Sequence, residues 1–222
     1  MTFPDIPELY RDPPTDQDRL ERMTSELELG FEQMRGVHKA VSFFGSARTP
    51  EDHPEYLQSV EVAKTLGEDG WTMITGGGPG IMEAANRGAQ QAGALSVGLN
   101  IDLWFEPEPN PYQDLELHFH YFFARKVMFV RYASAFIAAP GGFGTLDEIF
   151  EALTLVQTQK IDPFPVVFLG KDYWSGLIDW MKDSMLGGGK INPEDLDLLV
   201  SDDAEEIKAH LSSYKPRPKR TA

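Results

Sequence analysis

From residue 39 onward, short runs that are apolar at nearly every position alternate with longer segments whose apolar residues recur every three or four positions. The first kind reads as parallel strands buried on both faces, the second as helices with one buried stripe. Strands are predicted over 40–44, 71–75, 95–101, 135–139 and 166–169, with a weaker one over 196–200. Helices are predicted over 56–68, 80–92, 122–133, 145–158, 174–185 and 204–212. Strand and helix in strict alternation specify an α/β fold, a doubly wound and mostly parallel Rossmann-like sheet. Ahead of it, Leu20, Met23, Leu27, Phe31 and Met34 fall at steps of three and four on an acidic segment. That spacing predicts one extra N-terminal amphipathic helix, packed across the main domain or, alternatively, sealing a subunit interface. The expected organisation is an N-terminal extension over 1–36, a Rossmann-like domain over 37–213, and a basic, disordered tail over 214–222.

The chain has 222 residues, 41% hydrophobic and 25% charged, enough apolar material for one full core. Its formal net charge of −15 argues against a broad nucleic-acid-binding surface and against docking on an anionic membrane. An anionic ligand then needs a local pocket where backbone N–H groups and a few cations overrule the global field. No cysteine is present, which removes disulfides, thiolate catalysis and iron–sulfur or Cys-zinc chemistry. The start of the chain lacks the basic and apolar regions of a signal peptide. The longest uncharged stretch, 133–146, is too short to span a bilayer and is broken by Pro140-Gly141-Gly142. The expectation is a soluble, cytoplasmic protein.

In a doubly wound sheet, ligands bind beyond the carboxyl ends of the strands. Glycines stand at three such places: Gly45-Ser46 after the first strand, Gly76-Gly77-Gly78-Pro79-Gly80-Ile81-Met82 after the second, and Pro140-Gly141-Gly142-Phe143-Gly144-Thr145 after the run at 135–139. Glycine lets a bulky anion approach the amide nitrogens, and the helix that follows adds unpaired N–H donors and the positive end of its dipole. These loops are therefore read as a phosphate cradle. They match neither G-x-G-x-x-G nor the P-loop, for which Gly189-Lys190-Ile191 is the nearest approach, so a mononucleotide suits them better than a dinucleotide.

Two charged positions stand out. Thr145 and Glu148 have the spacing of a capping box, so Glu148 either satisfies a helix N-terminus or points at whatever the loop binds. Arg125-Lys126 lies among Phe122, Phe129 and Val130 on a segment marked for burial. Charges that leave water need partners, either in a structural ion pair or as a clamp on an anionic ligand. His118-Phe119-His120 would alternate faces if extended, and no cluster of His, Asp and Glu has metal-ligand spacing, so no metal or other cofactor is expected.

With Arg125-Lys126, the Pro140–Thr145 loop, Glu148 and a glycine-rich loop closing on Met82, the chain resembles the LOG (Lonely Guy) family over about 41–169. These are the "lysine decarboxylase-like" phosphoribohydrolases. The resemblance implies a Rossmann-like enzyme, dimeric or higher, that hydrolyses the N-glycosidic bond of a nucleoside 5′-monophosphate to free base and ribose 5-phosphate. It assigns Arg125 and Glu148 as catalytic. It assigns Gly45, Ser46, Gly77, Gly78, Gly80, Met82, Lys126, Gly141, Gly142, Gly144, Thr145 and Thr154 to substrate binding. The second loop differs in spacing from cytokinin-type members, and the N-terminal helix is additional. Both point to the broader bacterial branch, with AMP or another monophosphate, adenine- or cytokinin-type, as substrate. The runner-up is a non-catalytic nucleotide or cofactor carrier, since related folds carry molybdenum cofactor. A pyridoxal-phosphate decarboxylase would need a Schiff-base lysine with an acidic partner, and no segment announces one.

Overall fold

The computed structural model describes residues 11–103 and 108–214. Most of the Pro-rich start and the basic tail, whose disorder the composition predicts, lie outside the described residues. The strands are β1 (Ala40–Phe44), β2 (Thr72–Thr75), β3 (Ser96–Ile101), β4 (Leu115–Phe119), β5 (Ala133–Ala138), β6 (Val166–Leu169) and β7 (Leu198–Ser201). They form one sheet in the order β4-β3-β2-β1-β5-β6-β7, and every pairing is parallel. The chain starts in the middle, runs out to β4 along one side, then returns across β1 to build the other. That reversal between β1 and β5 is the topological switch point at which a doubly wound sheet opens a crevice.

Side chains of the central strands alternate between two apolar layers. Ala40 and Phe44 of β1, Phe136 and Ala138 of β5, and Val166 and Phe168 of β6 enter one layer. Val41 and Phe43, Ala135 and Ile137, and Val167 and Leu169 enter the other. Helices α2 (Pro54–Glu68), α3 (Ile81–Gln91) and α7 (Ala204–Ser213) cover the second layer through Val62, Leu66, Ala85, Ala89, Ile207 and Leu211. Helices α4 (Phe122–Tyr132), α5 (Phe143–Gln157) and α6 (Lys171–Trp180) cover the first, and α6 widens into a π-helical turn over Met181–Leu186. The N-terminal helix α1 (Asp16–Gln33) packs across the domain on α4: Gly30 lies against the Met128 side chain, and the Tyr132 hydroxyl donates to the carbonyl of Phe31 at 3.3 Å.

Strand β4 was not foreseen from its residues. It is the edge strand beyond β3; Leu117 and Phe119 turn inward while Glu116 and His118 face water. Such alternation carries a weaker signal than the solid apolar runs of the inner strands. His118 and Phe119 do alternate, and His118 sits between Asp102 and Glu116 at 3.2 and 2.6 Å, an arrangement for a solvated edge.

Candidate active site

The three glycine loops meet above the switch point. The Ser46 N–H donates to the carbonyl of Pro140 at 2.9 Å, and the Ile81 N–H donates to the carbonyl of Ser46, also at 2.9 Å. The loops after β1, β2 and β5 are thereby bound to one another through the backbone. Their glycines permit this approach. A Cβ on Gly45 would run into Ile81, one on Gly141 into Thr145, and one on Gly76 or Gly78 into the Met82 side chain. Gly77 and Gly80 have φ of 73° and 68°, and a side chain on Gly80 would also meet the carbonyl oxygen of Ser46. A crevice of about 770 Å³ opens over these loops, within the range of small-ligand sites.

Beneath the second loop lies a buried polar network. Thr75 Oγ1 donates to Asn86 Oδ1 at 2.6 Å and accepts the Gly77 N–H at 3.0 Å. The carbonyl of Gly77 accepts from the Asn110 and Gln113 side-chain amides at 3.0 and 2.9 Å. Asn110 also donates to the Gly78 carbonyl and to Asn86 Oδ1, both at 2.9 Å. The glycine loop is held in shape from below, which leaves its upper side open.

Helix α5 begins at the third loop. Its N-cap is Gly142, with no capping side chain, so its first amides face the crevice. Glu148 is the sixth residue of the helix, too far along to cap it. The capping-box reading is thereby corrected. Its side chain is 8% exposed, lines the crevice floor, and sits 3.9 Å from the Arg125 guanidinium. Burial pushes its carboxyl up to about 7, against the opposing pull of Arg125 and, less strongly, Lys126. Arg125 enters from α4, 12% exposed, with its guanidinium between the rings of Phe122 and Phe129 at 5.1 and 5.6 Å and Nη1 3.5 Å from the Leu99 carbonyl. Arg125 makes the ion pair of the first reading, and that pair is itself a wall of the crevice.

Of the residues singled out from sequence, Gly45, Ser46, Gly78, Met82, Arg125, Gly141, Gly142, Gly144, Thr145 and Glu148 line this crevice. Gly77 and Gly80 support it from beneath. Lys126 and Thr154 are not brought to its lining. The Lys126 ammonium joins Asp147 and Glu151 at 2.8 and 2.7 Å, tying α4 to α5. Thr154, nearly two turns beyond Glu148, is exposed and donates to the Phe150 carbonyl of its own helix at 2.7 Å. Arg48, Tyr173, Ile101 and Leu103 also line the crevice and were not singled out. Arg48 was within reach of sequence reasoning, as it stands two residues after Ser46 in the same loop; its N–H donates to Ser46 Oγ at 3.0 Å. Tyr173 had no such signal. It reaches over from α6 to donate its hydroxyl to the Gly141 carbonyl at 2.6 Å.

A parallel sheet with glycine loops meeting at its switch point, and a paired arginine and glutamate on the crevice floor, defines a Rossmann-like fold with a crevice in the place where such sheets bind ligands. A family model described as "Possible lysine decarboxylase" matches residues 82–211. The chain is 30% identical over 175 residues to a "Probable cytokinin riboside 5′-monophosphate phosphoribohydrolase" of Oryza sativa subsp. japonica, covering 74% of this chain and 79% of that protein. It is also 30% identical over 174 residues to a cytokinin riboside 5′-monophosphate phosphoribohydrolase of Mycobacterium tuberculosis, covering 74% of this chain and 88% of that one. The chain belongs to the LOG family. The solved molybdenum cofactor carrier protein of Chlamydomonas reinhardtii shares the fold, with a TM-score of 0.59 and 23% identity over 79% of this chain and 96% of that one. No lysine stands among the described residues lining the crevice, so the site does not fit the decarboxylase of the family model's description.

Proposed function

We propose that this protein is a nucleoside 5′-monophosphate phosphoribohydrolase, releasing free base and ribose 5-phosphate. The carrying observation is that Glu148 lies buried in the crevice whose rim is the open N-terminus of α5, paired with Arg125 at 3.9 Å. The named activity of the rice and mycobacterial relatives supports the same reading.

The 5′-phosphate binds the amides of Gly141, Gly142 and Gly144, where unpaired N–H groups and the helix dipole favour an anion. Met82, Ile101, Leu103 and Phe122 offer apolar surface to the base. As the C1′–N bond breaks, its electron pair leaves with the base and positive charge builds on the ribose, as in glycoside hydrolysis. The Glu148 carboxylate stabilises that charge and takes the proton of the water that attacks C1′, and this proton passes on to the departing base nitrogen, which completes the free base and restores the carboxylate. Arg125 favours the ionised form of Glu148, offsetting part of the cost of burial, and faces the bound nucleotide. Holding the phosphate fixes the ribose over Glu148, so remote binding contributes to lowering the barrier.

The working form is a homodimer or higher oligomer, supported by exposed apolar residues beside the crevice mouth: Phe143 at 92%, with Phe122, Phe123 and Val127. Its expected place of action is the cytoplasm; among the described residues no helix is long and apolar enough to cross a membrane.

The test is a panel of monophosphates, including AMP and N6-isopentenyl-AMP, each beside its nucleoside, with chromatography for free base. Release from monophosphates and not from nucleosides is expected. Tight binding without release across the panel overturns the enzyme reading in favour of a non-catalytic carrier.

A further inference from the structure

Helix α4 delivers Arg125 to the crevice, yet its N-cap is Tyr121, which supplies no capping side chain. The cap comes from elsewhere in the chain. The Glu26 carboxylate of α1 accepts the backbone N–H of His120 on one oxygen at 3.0 Å and that of Tyr121 on the other at 3.1 Å. Its side chain is 11% exposed, and Arg22 Nε holds the same carboxylate from one turn away at 3.3 Å. Asp12 grips the same corner from outside, through His120 Nε2 at 3.2 Å. A carboxylate at a helix N-terminus is favoured twice, by the unpaired amides and by the dipole.

Arg125 is one turn further along, and its own N–H donates to the Tyr121 carbonyl at 3.3 Å. Its aromatic partners Phe122 and Phe129 ride on α4 with it, while Glu148 stands on α5. If the first turn of α4 tilts or frays, the guanidinium moves relative to Glu148. An ordinary cap would stabilise α4 alone; a carboxylate from α1 also fixes where α4 begins. The family model starts at residue 82, so α1 lies outside the region it matches.

We infer that Glu26 is a positioning residue: from the N-terminal helix it clamps the start of α4 and so sets where Arg125 stands against Glu148. This rests on the roles proposed above for Arg125 and Glu148. Beyond Arg125, the charged groups facing Glu148 are Lys126 on α4 and Asp147 and Glu151 on α5. Asp147 and Glu151 stand on α5, away from Glu26, and Lys126 is tied to both of them through its ammonium.

The test compares Glu26→Ala, Glu26→Gln and, as a control on the exposed face of α1, Glu28→Gln. Three quantities are measured in the full chain: amide exchange over residues 120–125, the Glu148 carboxyl titration by 13C NMR, and kcat and KM on the best monophosphate. Glu26→Ala is expected to speed exchange over 120–125 at least tenfold and to raise the Glu148 midpoint as Arg125 loosens. Its kcat should fall about tenfold with a smaller change in KM. Glu26→Gln retains one acceptor oxygen and is expected to fall between, and Glu28→Gln to match the parent. A folded Glu26→Ala with unchanged exchange and titration overturns the inference. Should Glu26→Ala fail to fold, an unchanged exchange and titration in Glu26→Gln does the same. If the parent chain releases no base from any monophosphate, the hydrolase reading fails, while exchange and titration still decide this one.

Discussion

The two helices that flank the crevice begin in opposite ways. Helix α4 is entered under a carboxylate borrowed from α1, with Glu26 accepting the amides of His120 and Tyr121 that lead into its first turn. Helix α5 starts at Gly142 with no capping side chain, its first amides open to the crevice. Each carries one charged side chain to the same floor, Arg125 from the closed helix and Glu148 from the open one. The difference separates two uses of the same backbone feature. Where the helix must hold a side chain still, the backbone leading into it is tied to another part of the chain. Where it must hold a ligand, the amides at its start are left for the ligand to satisfy.

The most severe way to break this pairing is to remove the acid from the open helix. Glu148→Ala is expected to lower kcat by about 10³-fold, roughly 4 kcal/mol of barrier, within the span of general acid–base catalysis. Binding of ribose 5-phosphate, which depends on the amides, should change little. Base release measured by chromatography checks the first expectation and calorimetric titration the second; undiminished release removes Glu148 from the mechanism. Next in size is closing the open helix by steric means. A Cβ on Gly141 meets Thr145 and comes within 3.1 Å of the Gly45 carbonyl carbon, so the cradle must shift. Gly141→Ala is expected to raise KM for a monophosphate ten- to a hundred-fold, about 1.4–3 kcal/mol. Substitution of the exposed Gly36, whose Cβ would meet nothing, should leave KM as it is.

A third measurement uses stability in place of turnover. The Glu148 carboxyl is raised to about 7 in the fold, against an ordinary value of 4.5. Between these values the native state binds more protons than the unfolded chain, so Glu148 costs stability as pH rises from about 4.5 through about 7. Glu148→Gln, which needs no deprotonation, should melt higher than the parent at pH 8, by an amount on the order of 2 kcal/mol, and should lose that advantage near pH 4. Thermal melts of both chains from pH 4 to 8 give the difference. A gap that is constant with pH would mean the carboxyl titrates normally.

Much of the crevice was legible because its chemistry is local in sequence. A strand run, one or more glycines and a helical stripe follow one another in sequence at each loop, so Gly45, Gly78 and Gly141 could be placed at strand ends without coordinates. The residues left Glu148 open between two uses: its spacing from Thr145 suits a capping box as well as a carboxylate facing the loop, and the position of the N-cap, Gly142, removes the first. Lys126 adjoins Arg125 in sequence, yet successive residues on a helix face about 100° apart, and Lys126 turns to Asp147 and Glu151 instead. Strand β4 escaped because an edge strand shows only alternation. The cap on α4 joins residues 26 and 120–121, and no local pattern announces a contact across that separation.

The smallest effect concerns Tyr173, which reaches the open helix from farthest away. Its hydroxyl donates to the Gly141 carbonyl at 2.6 Å and so orients the peptide whose neighbours face the phosphate. The residue is about half exposed, so water can replace the hydroxyl when it is removed. The net contribution is then that of one solvent-accessible hydrogen bond, about 0.5–1 kcal/mol. Tyr173→Phe is accordingly expected to raise KM for a monophosphate about two- to fivefold, with kcat and the pH dependence of Glu148 unchanged. A fall in kcat at constant KM would be the informative surprise. It would place the hydroxyl in contact with the reacting ribose, and the open end of α5 would then share its chemistry with α6.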